Sequence, residues 1–97
     1  DKFTKAPIAS IPVGLNPQGV GINPLTGRVY VTNSGSNTVT VIDGFTNAVI
    51  ATVLVGLSPG EVEVDSTANQ IYITNRGSNT ISVINGTTHT VMATINN

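Results

Sequence analysis

Three carboxylate side chains stand at alternate positions of one short segment of the chain. Glu61, Glu63 and Asp65 follow one another at i, i+2 and i+4, a spacing that places them on one face of a β-strand. Clustered hard oxygens are ligands for Ca²⁺, and paired carboxylates serve as acid and base in catalysis. One strand supplies few ligands at a wide spacing, so we expect a solvated or channel-facing strand edge and assign no metal, although these three remain the candidate ligands.

The other reactive residue types occur singly or in turns. His89 is the one histidine of the sequence, and a zinc site needs several His or Cys ligands, so we expect His89 to be a polar turn residue. Ser34, Ser36 and Ser78 lie in Gly-rich turns without an accompanying acid–histidine pair. We therefore predict no catalytic residue, no cofactor and no enzyme activity.

One segment fits a modification signal. Asn85-Gly86-Thr87 is a formal acceptor for N-glycosylation. The segment falls in a turn that we expect to be exposed, which permits modification, and Asn85 is therefore the glycosylation candidate.

Composition narrows the class of protein. The 97 residues form one small domain at most, and a net charge of -1 gives no electrostatic footprint for nucleic acid. No apolar run approaches the roughly 20 residues of a membrane span, and the start Asp1-Lys2-Phe3 shows no signal peptide. Because the sequence lacks an initiator Met, we expect a processed chain or a piece of a longer one. Low charge and an abundance of Thr and Asn favour an extracellular or cell-surface β protein.

The elements that position these residues repeat along the chain. Residues 13–54 return, offset by 42, as residues 55–96, and 19 of the 42 aligned positions are identical. A third, partial copy opens the chain, because Ile8-Ala9-Ser10-Ile11 matches Ile50-Ala51-Thr52-Val53. A period near 42 built from short β-like runs is typical of the blades of a β-propeller.

Each repeat divides into four short runs rich in Val, Ile, Thr and Tyr, which favour strands, separated by Gly- and Asn-rich turns. The predicted strands are 19–23, 28–32, 38–42 and 48–54 in the first copy, and 61–65, 70–74, 80–84 and 90–95 in the second. Many strands are apolar on both faces, so each four-stranded antiparallel sheet needs cover on both sides, as stacked blades provide. Tyr30 and Tyr72 are expected to pack between blades, with each hydroxyl reaching a polar edge.

The longest shared motifs carry a family resemblance. Arg28-Val29-Tyr30-Val31-Thr32-Asn33, followed by Gly35-Ser36-Asn37-Thr38-Val39, resembles the YVTN family of β-propeller repeats, and the resemblance covers residues 8–96. It implies a many-bladed propeller of the kind found in surface-layer and other cell-surface or secreted proteins. It supplies no catalytic motif.

The repeats predict an all-β chain with two four-stranded blades and one extra outer strand. Residues 1–7 form an N-terminal tail, 8–12 the outer strand of a preceding or neighbouring blade, 13–54 the first blade and 55–97 the second. Propellers close with 4–8 blades, so we expect no persistent soluble monomer. The partners are then further blades in cis or identical chains, without nucleic acid or membrane insertion.

The spare strand leaves two interpretations open. The chain is either cut from a longer array or a self-assembling subunit whose residues Ile8, Ala9, Ser10 and Ile11 add to a neighbour's sheet edge, giving a ring or a filament. The expected function is a structural or adhesive repeat module of a surface-layer, cell-surface or secreted protein. The alternatives are the self-assembling subunit and non-catalytic blades of a propeller enzyme.

Overall fold

The computed structural model of the chain describes residues 11–96, which form eight β-strands. They pair into two antiparallel sheets, ordered β1-β2-β3-β4 and β5-β6-β7-β8; we call them sheet 1 and sheet 2. The all-β class with two four-stranded blades is therefore confirmed. The strands are β1 (Pro17–Asn23), β2 (Arg28–Asn33), β3 (Thr38–Asp43), β4 (Ala48–Leu54), β5 (Pro59–Asp65), β6 (Gln70–Asn75), β7 (Thr80–Asn85) and β8 (Thr90–Asn96).

The first strand of each sheet is longer than the sequence predicts. β1 begins at Pro17 rather than residue 19, and β5 begins at Pro59 rather than residue 61. In both sheets a register shift follows the proline, so that Pro17 pairs with Asn33 and Pro59 with Asn75. A β-bulge of this kind inserts one extra residue and bends the strand. The strand therefore continues to pair beyond the glycine or proline at which the sequence predicts its end.

The predicted extra strand falls mainly outside the described residues. Ile8, Ala9 and Ser10 are not among residues 11–96, and Ile11 and Pro12 belong to no strand. The predicted tail, 1–7, also lies outside the described part.

The turns repeat with the same period as the strands. Asn37 and Asn79, at φ 58° and 54°, hold equivalent positions after β2 and β6, and Asn47 and His89, at φ 62° and 59°, do so before β4 and β8. Left-handed backbone is tolerated best by glycine and asparagine. The recurrence of Asn at these points therefore reflects backbone geometry, and His89 occupies a position where its repeat mate is asparagine.

The asparagine that ends the second strand of each sheet anchors a buried polar network. Asn33 Nδ2 donates to Thr40 Oγ1 at 2.9 Å and to Thr38 Oγ1 at 3.2 Å. Asn75 repeats the pattern with Ser82 at 2.9 Å and Thr80 at 3.2 Å. These side-chain hydrogen bonds tie the second strand to the third and explain why the asparagine at the end of the motif recurs.

The core lies between the two sheets. Its buried members are Tyr30, Val39, Val41 and Val53 of sheet 1, and Ile71, Ile73 and Ile84 of sheet 2. Within residues 11–96, the other face of each sheet meets no further sheet, and we call it the free face. On sheet 1 this face exposes Val20 and Ile22, although Val31, Thr40 and Ile42 on it are buried. We call the face of each sheet that carries Tyr30 in sheet 1 or Tyr72 in sheet 2 the C-side face, and the opposite face the N-side face. The core joins the C-side face of sheet 1 to the N-side face of sheet 2.

Candidate assembly interface

The two sheets approach most closely along their first strands, β1 and β5. Two glycines make this approach possible. A Cβ atom at Gly21 would overlap Val62 Cγ1 and lie 3.1 Å from Val62 Cβ. A Cβ atom at Gly19 would overlap the backbone carbonyl oxygen of Gly60. The absence of a side chain at positions 19 and 21 therefore sets the spacing between the sheets.

Hydrogen bonds fix the sheets at this spacing. Thr32 Oγ1 donates to the carbonyl oxygen of Gly60 at 2.7 Å and accepts from the Gly19 amide at 2.8 Å. Farther along the same edge, Asn23 Nδ2 donates to Asn69 Oδ1 at 3.1 Å. A buried acceptor left without its donor costs free energy, so these contacts hold the interface in one register.

The segment that joins the sheets covers the end of sheet 1. The Val55 amide donates to the Asn37 carbonyl oxygen, and the Ser58 amide donates to Asn37 Oδ1, both at 3.0 Å. At the equivalent end of sheet 2 the structure has a cavity of about 250 Å³, which Asn79, Thr80 and Thr74 help to line. The second sheet thus offers the surface that the first sheet uses to hold its connecting segment.

The free N-side face of sheet 1 has the composition of the covered N-side face of sheet 2. Val20 and Ile22, which are 64% and 59% exposed, stand 42 positions before the half-buried Val62 and Val64 of β5. Leu54, at 73% exposure, lies at the outer edge of the same free face. Val20 and Ile22 therefore carry aliphatic side chains at the same positions as the covered Val62 and Val64, whereas the repeat mate of Leu54 is the exposed Asn96.

The free C-side face of sheet 2 differs from its counterpart mainly along its first strand, apart from Gln70 and Asn85 in place of the Arg28–Asp43 ion pair. Its outer strands retain the tyrosine and aliphatic residues of sheet 1, at Tyr72, Ile81, Val83 and Ile95. Its first strand does not, because Glu61, Glu63 and Asp65 replace Gly19, Gly21 and Asn23.

The three carboxylates remain separate. The side chains of Glu61, Glu63 and Asp65 are all exposed, and Asp65 Oδ1 accepts a hydrogen bond from the Ala68 amide at 3.2 Å within its own turn. Across residues 11–96, no group of three or more His, Cys, Asp or Glu side chains is arranged to hold a metal ion. The structure places these carboxylates on the face of sheet 2 that lies away from sheet 1.

The glycosylation candidate lies in the turn between β7 and β8. Asn85 Oδ1 accepts hydrogen bonds from the Thr87 amide at 2.8 Å and the Thr88 amide at 3.3 Å. The side chain thereby closes its own turn, an arrangement that asparagine commonly makes. Modification of Asn85 stays a prediction.

His89, in the same turn, is partly buried, and its Nδ1 atom finds no hydrogen-bond partner within the described residues. Burial lowers the pKa of His89, and the positive charge of Arg28 lowers it further. The folded state therefore favours neutral histidine. Since unfolded histidine has a pKa near 6.5, the unfolded chain takes up this proton more readily.

We expect stability to fall on acidification through His89. The free energy of unfolding should be highest above about pH 6.5 and should decline as the pH falls towards the lowered folded-state pKa, because protons then favour the unfolded chain. His89→Asn, which keeps the left-handed position as Asn47 does, should flatten this decline. Urea unfolding at about pH 7.5 and 5.5 checks both chains, and an unchanged slope in the variant would exclude His89 as the cause.

Tyr30 packs between the sheets with no exposed surface, but its hydroxyl does not reach the polar edge that we expected. The hydroxyl oxygen is buried without a hydrogen-bond partner in the described structure, and burial raises the pKa of Tyr30. Tyr72, on the free face of sheet 2, donates its hydroxyl to Gln70 Oε1 at 3.0 Å. Its repeat mate Tyr30 has Arg28 instead of a glutamine acceptor two positions earlier.

The two tyrosines should therefore respond differently to loss of the hydroxyl. Tyr30→Phe should leave stability unchanged or raise it, because it removes a buried, unpaired polar group. Tyr72→Phe should lower it by about 0.5–1.5 kcal/mol, the contribution of one net hydrogen bond. Thermal or urea unfolding of the two variants makes the comparison, and a larger loss at Tyr30 would show that its hydroxyl has a partner in solution.

Sequence reasoning missed the role of Gly19 and Gly21, which are the residues that set the spacing between sheets. The signal was present in the sequence, because the two repeats diverge at these positions while the strands around them are similar. Its meaning depends on which face of β1 meets the next sheet, and this follows only from the arrangement of the sheets.

Two four-stranded sheets stacked through complementary faces define a pair of β-propeller blades, and comparison with solved structures supports this class. The chain superposes on hydrazine synthase of Kuenenia stuttgartiensis with a TM-score of 0.81 at 21% identity, covering 90% of this chain and 25% of that one. It superposes on the dihydro-heme d1 dehydrogenase NirN with a TM-score of 0.80 at 21% identity, covering 92% and 19%. AztD from Citrobacter koseri gives 0.76 at 19%, covering 89% and 25%. These are β-propeller-type proteins, and the likeness at this identity shows the fold.

A shorter match exists at the level of sequence. The chain is 68% identical over 34 residues to the PE-PGRS family protein PE_PGRS18 of Mycobacterium tuberculosis (strain ATCC 25618 / H37Rv), which covers 35% of this chain and 7% of that protein. No family model matches the chain. The chain spans a quarter or less of each of these proteins.

Proposed function

We propose that the chain is a two-blade segment of a larger β-propeller of the YVTN-like type, with a structural or adhesive role in a cell-surface or secreted protein. In this role the blades build and present a surface and supply no catalytic group. One observation carries the proposal: the free face of sheet 1 presents the aliphatic side chains Val20 and Ile22 at the positions that Val62 and Val64 hold on the face of sheet 2 that sheet 1 covers.

The exposed apolar surface supports the need for further blades. Val20, Ile22 and Leu54 are each more than half exposed on one free face, and Ile95 is 49% exposed on the other. Full burial of one such side chain contributes roughly 1.5–3 kcal/mol. The burial free energy of several such side chains together is comparable to the net stability of a whole domain, roughly 5–15 kcal/mol.

The shape of the interface supports a closed ring. The sheets lie closest along β1 and β5, so each added blade turns about the same inner edge. Propellers built in this way have about 4–8 blades, of which this chain supplies two. The remaining blades come from the same polypeptide or from other chains.

The proposed location rests on composition and on the resemblance of the repeat. Polar positions are filled by Asn, Thr and Ser, with charged residues at 9% of the sequence, and the motif ending in Thr32-Asn33 is of the YVTN type. Within residues 11–96, no helix has the length and apolar character needed to cross a membrane.

The natural polypeptide that contains this sequence tests the architecture. Purified from its own cells, it should show by electron microscopy or crystallography a closed propeller in which both free faces of this segment are covered by other blades. A structure in which the two sheets stand alone, with both faces in solvent, would overturn the proposal.

The location is tested on intact cells. An antibody against the turns of this segment should label whole cells or the culture medium, and protease added to intact cells should remove the signal. Labelling that appears only after the cells are lysed would contradict a surface or secreted role, whatever the number of blades.

A further inference from the structure

We infer that Glu61 and Glu63 determine the order of blades, since they close the C-side face of sheet 2 to a second copy of sheet 1. That face instead takes a blade that stands farther from β5 and presents basic side chains at the positions of Val20 and Ile22. This inference rests on the proposed stacking of blades and identifies the partner of one face.

The covered interface shows what a second copy would meet. If another chain placed its sheet 1 on this face, its Val20 would take the place of Val62 and its Gln18 backbone the place of Gly60, since these positions are 42 apart. In the covered interface a Cβ at position 21 overlaps the valine, and a Cβ at position 19 overlaps the backbone carbonyl.

Sheet 2 has side chains at both positions. Glu63 stands where Gly21 admits the valine, and Glu61 stands where Gly19 admits the carbonyl oxygen. A valine side chain can turn aside, but a backbone carbonyl in a paired strand cannot do so without breaking the sheet. The copy must therefore stand back from β5, and Thr74, the counterpart of Thr32, would lose the close contact that Thr32 makes with Gly60 at 2.7 Å.

Charge acts in the same direction. A second copy would bring the apolar side chains Val20 and Ile22 over Glu61, Glu63 and Asp65, which are exposed and carry no ion pair in the described structure. Burying ionised carboxylates without partners is strongly unfavourable. Lys or Arg at these two positions would pair with the carboxylates, and their long side chains would span the wider gap.

The rest of the face still accepts a blade. Tyr72, Ile81, Val83 and Ile95 keep the character of Tyr30, Val39, Val41 and Val53, which form the covered interface. The partner is thus a blade that packs on the second, third and fourth strands of sheet 2 and whose own first strand differs from β1. The change from glycine to glutamate selects which blade follows.

The first experiment restores the glycines. The 97-residue chain and its variant Glu61→Gly/Glu63→Gly are compared by sedimentation velocity over a range of concentrations. We expect the variant to associate head to tail with a dissociation constant at least about tenfold lower than that of the parent, because its β5 then matches β1. Glu61→Gln/Glu63→Gln keeps the bulk and removes the charge, so it should associate more tightly than the parent but clearly less tightly than the glycine variant. Equal association of parent and glycine variant would overturn the inference, and so would equal association of the glutamine and glycine variants.

The second experiment supplies the partner chemistry and leaves β5 intact, so it does not depend on the folding of the glycine variant. A chain with Val20→Lys/Ile22→Lys presents a basic N-side face and should associate with the parent at least about tenfold more tightly than the parent associates with itself. The association should weaken with added salt, since charges carry it. Val20→Lys in the glycine variant should return its self-association to the parental level. A lysine face that binds no better than the native face would refute the assigned partner.

The experiments distinguish a failure of this inference from a failure of the proposed function. If the variants behave as expected but the natural polypeptide is not a propeller, only the proposed function fails. If the natural polypeptide is a propeller in which a Val-x-Ile blade packs on Glu61 and Glu63 at the spacing of sheets 1 and 2, only the inference fails.

Discussion

Replacing Gly21 by glutamate should lower the free energy of unfolding by about 4 kcal/mol, the cost of leaving a buried charge uncompensated. The new side chain would enter the space that Val62 fills between the sheets, so the sheets must separate or bury an ionised group. Gly21→Ala, which adds only the overlapping Cβ, should cost about 1–3 kcal/mol, as overpacked sites do. Urea unfolding followed by circular dichroism measures both.

The matched control is the reverse substitution, glutamate to glycine, at Glu63, the position of sheet 2 equivalent to Gly21. Glu63→Gly lies on a free face and should change stability by no more than about 1 kcal/mol, the usual cost of glycine within a strand. If Gly21→Glu and Glu63→Gly had equal effects, the two positions would be equivalent in solution, and the close approach along β1 and β5 would not exist there.

The periodic sequence was sufficient to predict the strands and the turns. Each strand predicted from one repeat was supported by an aligned copy 42 positions away. Among the described residues, eight turn and linker positions have left-handed backbone; seven are Asn, Ser or His, the eighth is Gly27, and they form four pairs at matching points of the two copies. The observed strands contain the predicted ones, and all but β4 extend them by one or two residues. These strands and turns could be predicted because they depend mainly on the conformational preferences of residues close together in the sequence.

The contacts between sheets could not be predicted in the same way. The sequence places Gly19 and Gly21 within a predicted strand, but it does not show that the lack of a side chain at these positions admits the next sheet. The buried hydroxyl of Tyr30 likewise depends on what sheet 2 brings against it. Such features depend on distances between elements, and one sequence with two repeats does not report them.

The same dependence limits what the sequence says about Glu61, Glu63 and Asp65, for which it favours a solvated or channel-facing strand edge and keeps a metal site only as a candidate. Their spacing places them on one strand face, as the structure shows, but spacing alone does not say what that face meets. Because the equivalent face of sheet 1 covers sheet 2, the blade stacking that we propose makes the carboxylates part of an assembly surface. The chemistry of a residue in a repeat protein is therefore best assigned from the covered copy of its position.

Ile71→Ala should lower the free energy of unfolding by about 2–5 kcal/mol, because it removes a fully buried side chain and leaves a cavity in the core between the sheets. Ile71 has no exposed surface, whereas Ile22, the control, is 59% exposed on the free face of sheet 1. Ile22→Ala should change the stability of the 97-residue chain by about 0.5 kcal/mol or less, as surface substitutions do. Equal losses at the two positions would show that the free face is already covered in solution.

In the larger propeller that we propose, the effect of the control substitution Ile22→Ala should change. Ile22 stands 42 positions before Val64, which packs against the core between the sheets, so a preceding blade would cover it in the same way. The cost of Ile22→Ala should then rise towards the roughly 2–5 kcal/mol expected of a buried isoleucine such as Ile71. Measuring this one substitution in the short chain and in the natural polypeptide reports directly whether another blade lies on sheet 1. A cost that stays near zero in the natural polypeptide would mean that this face remains in solvent.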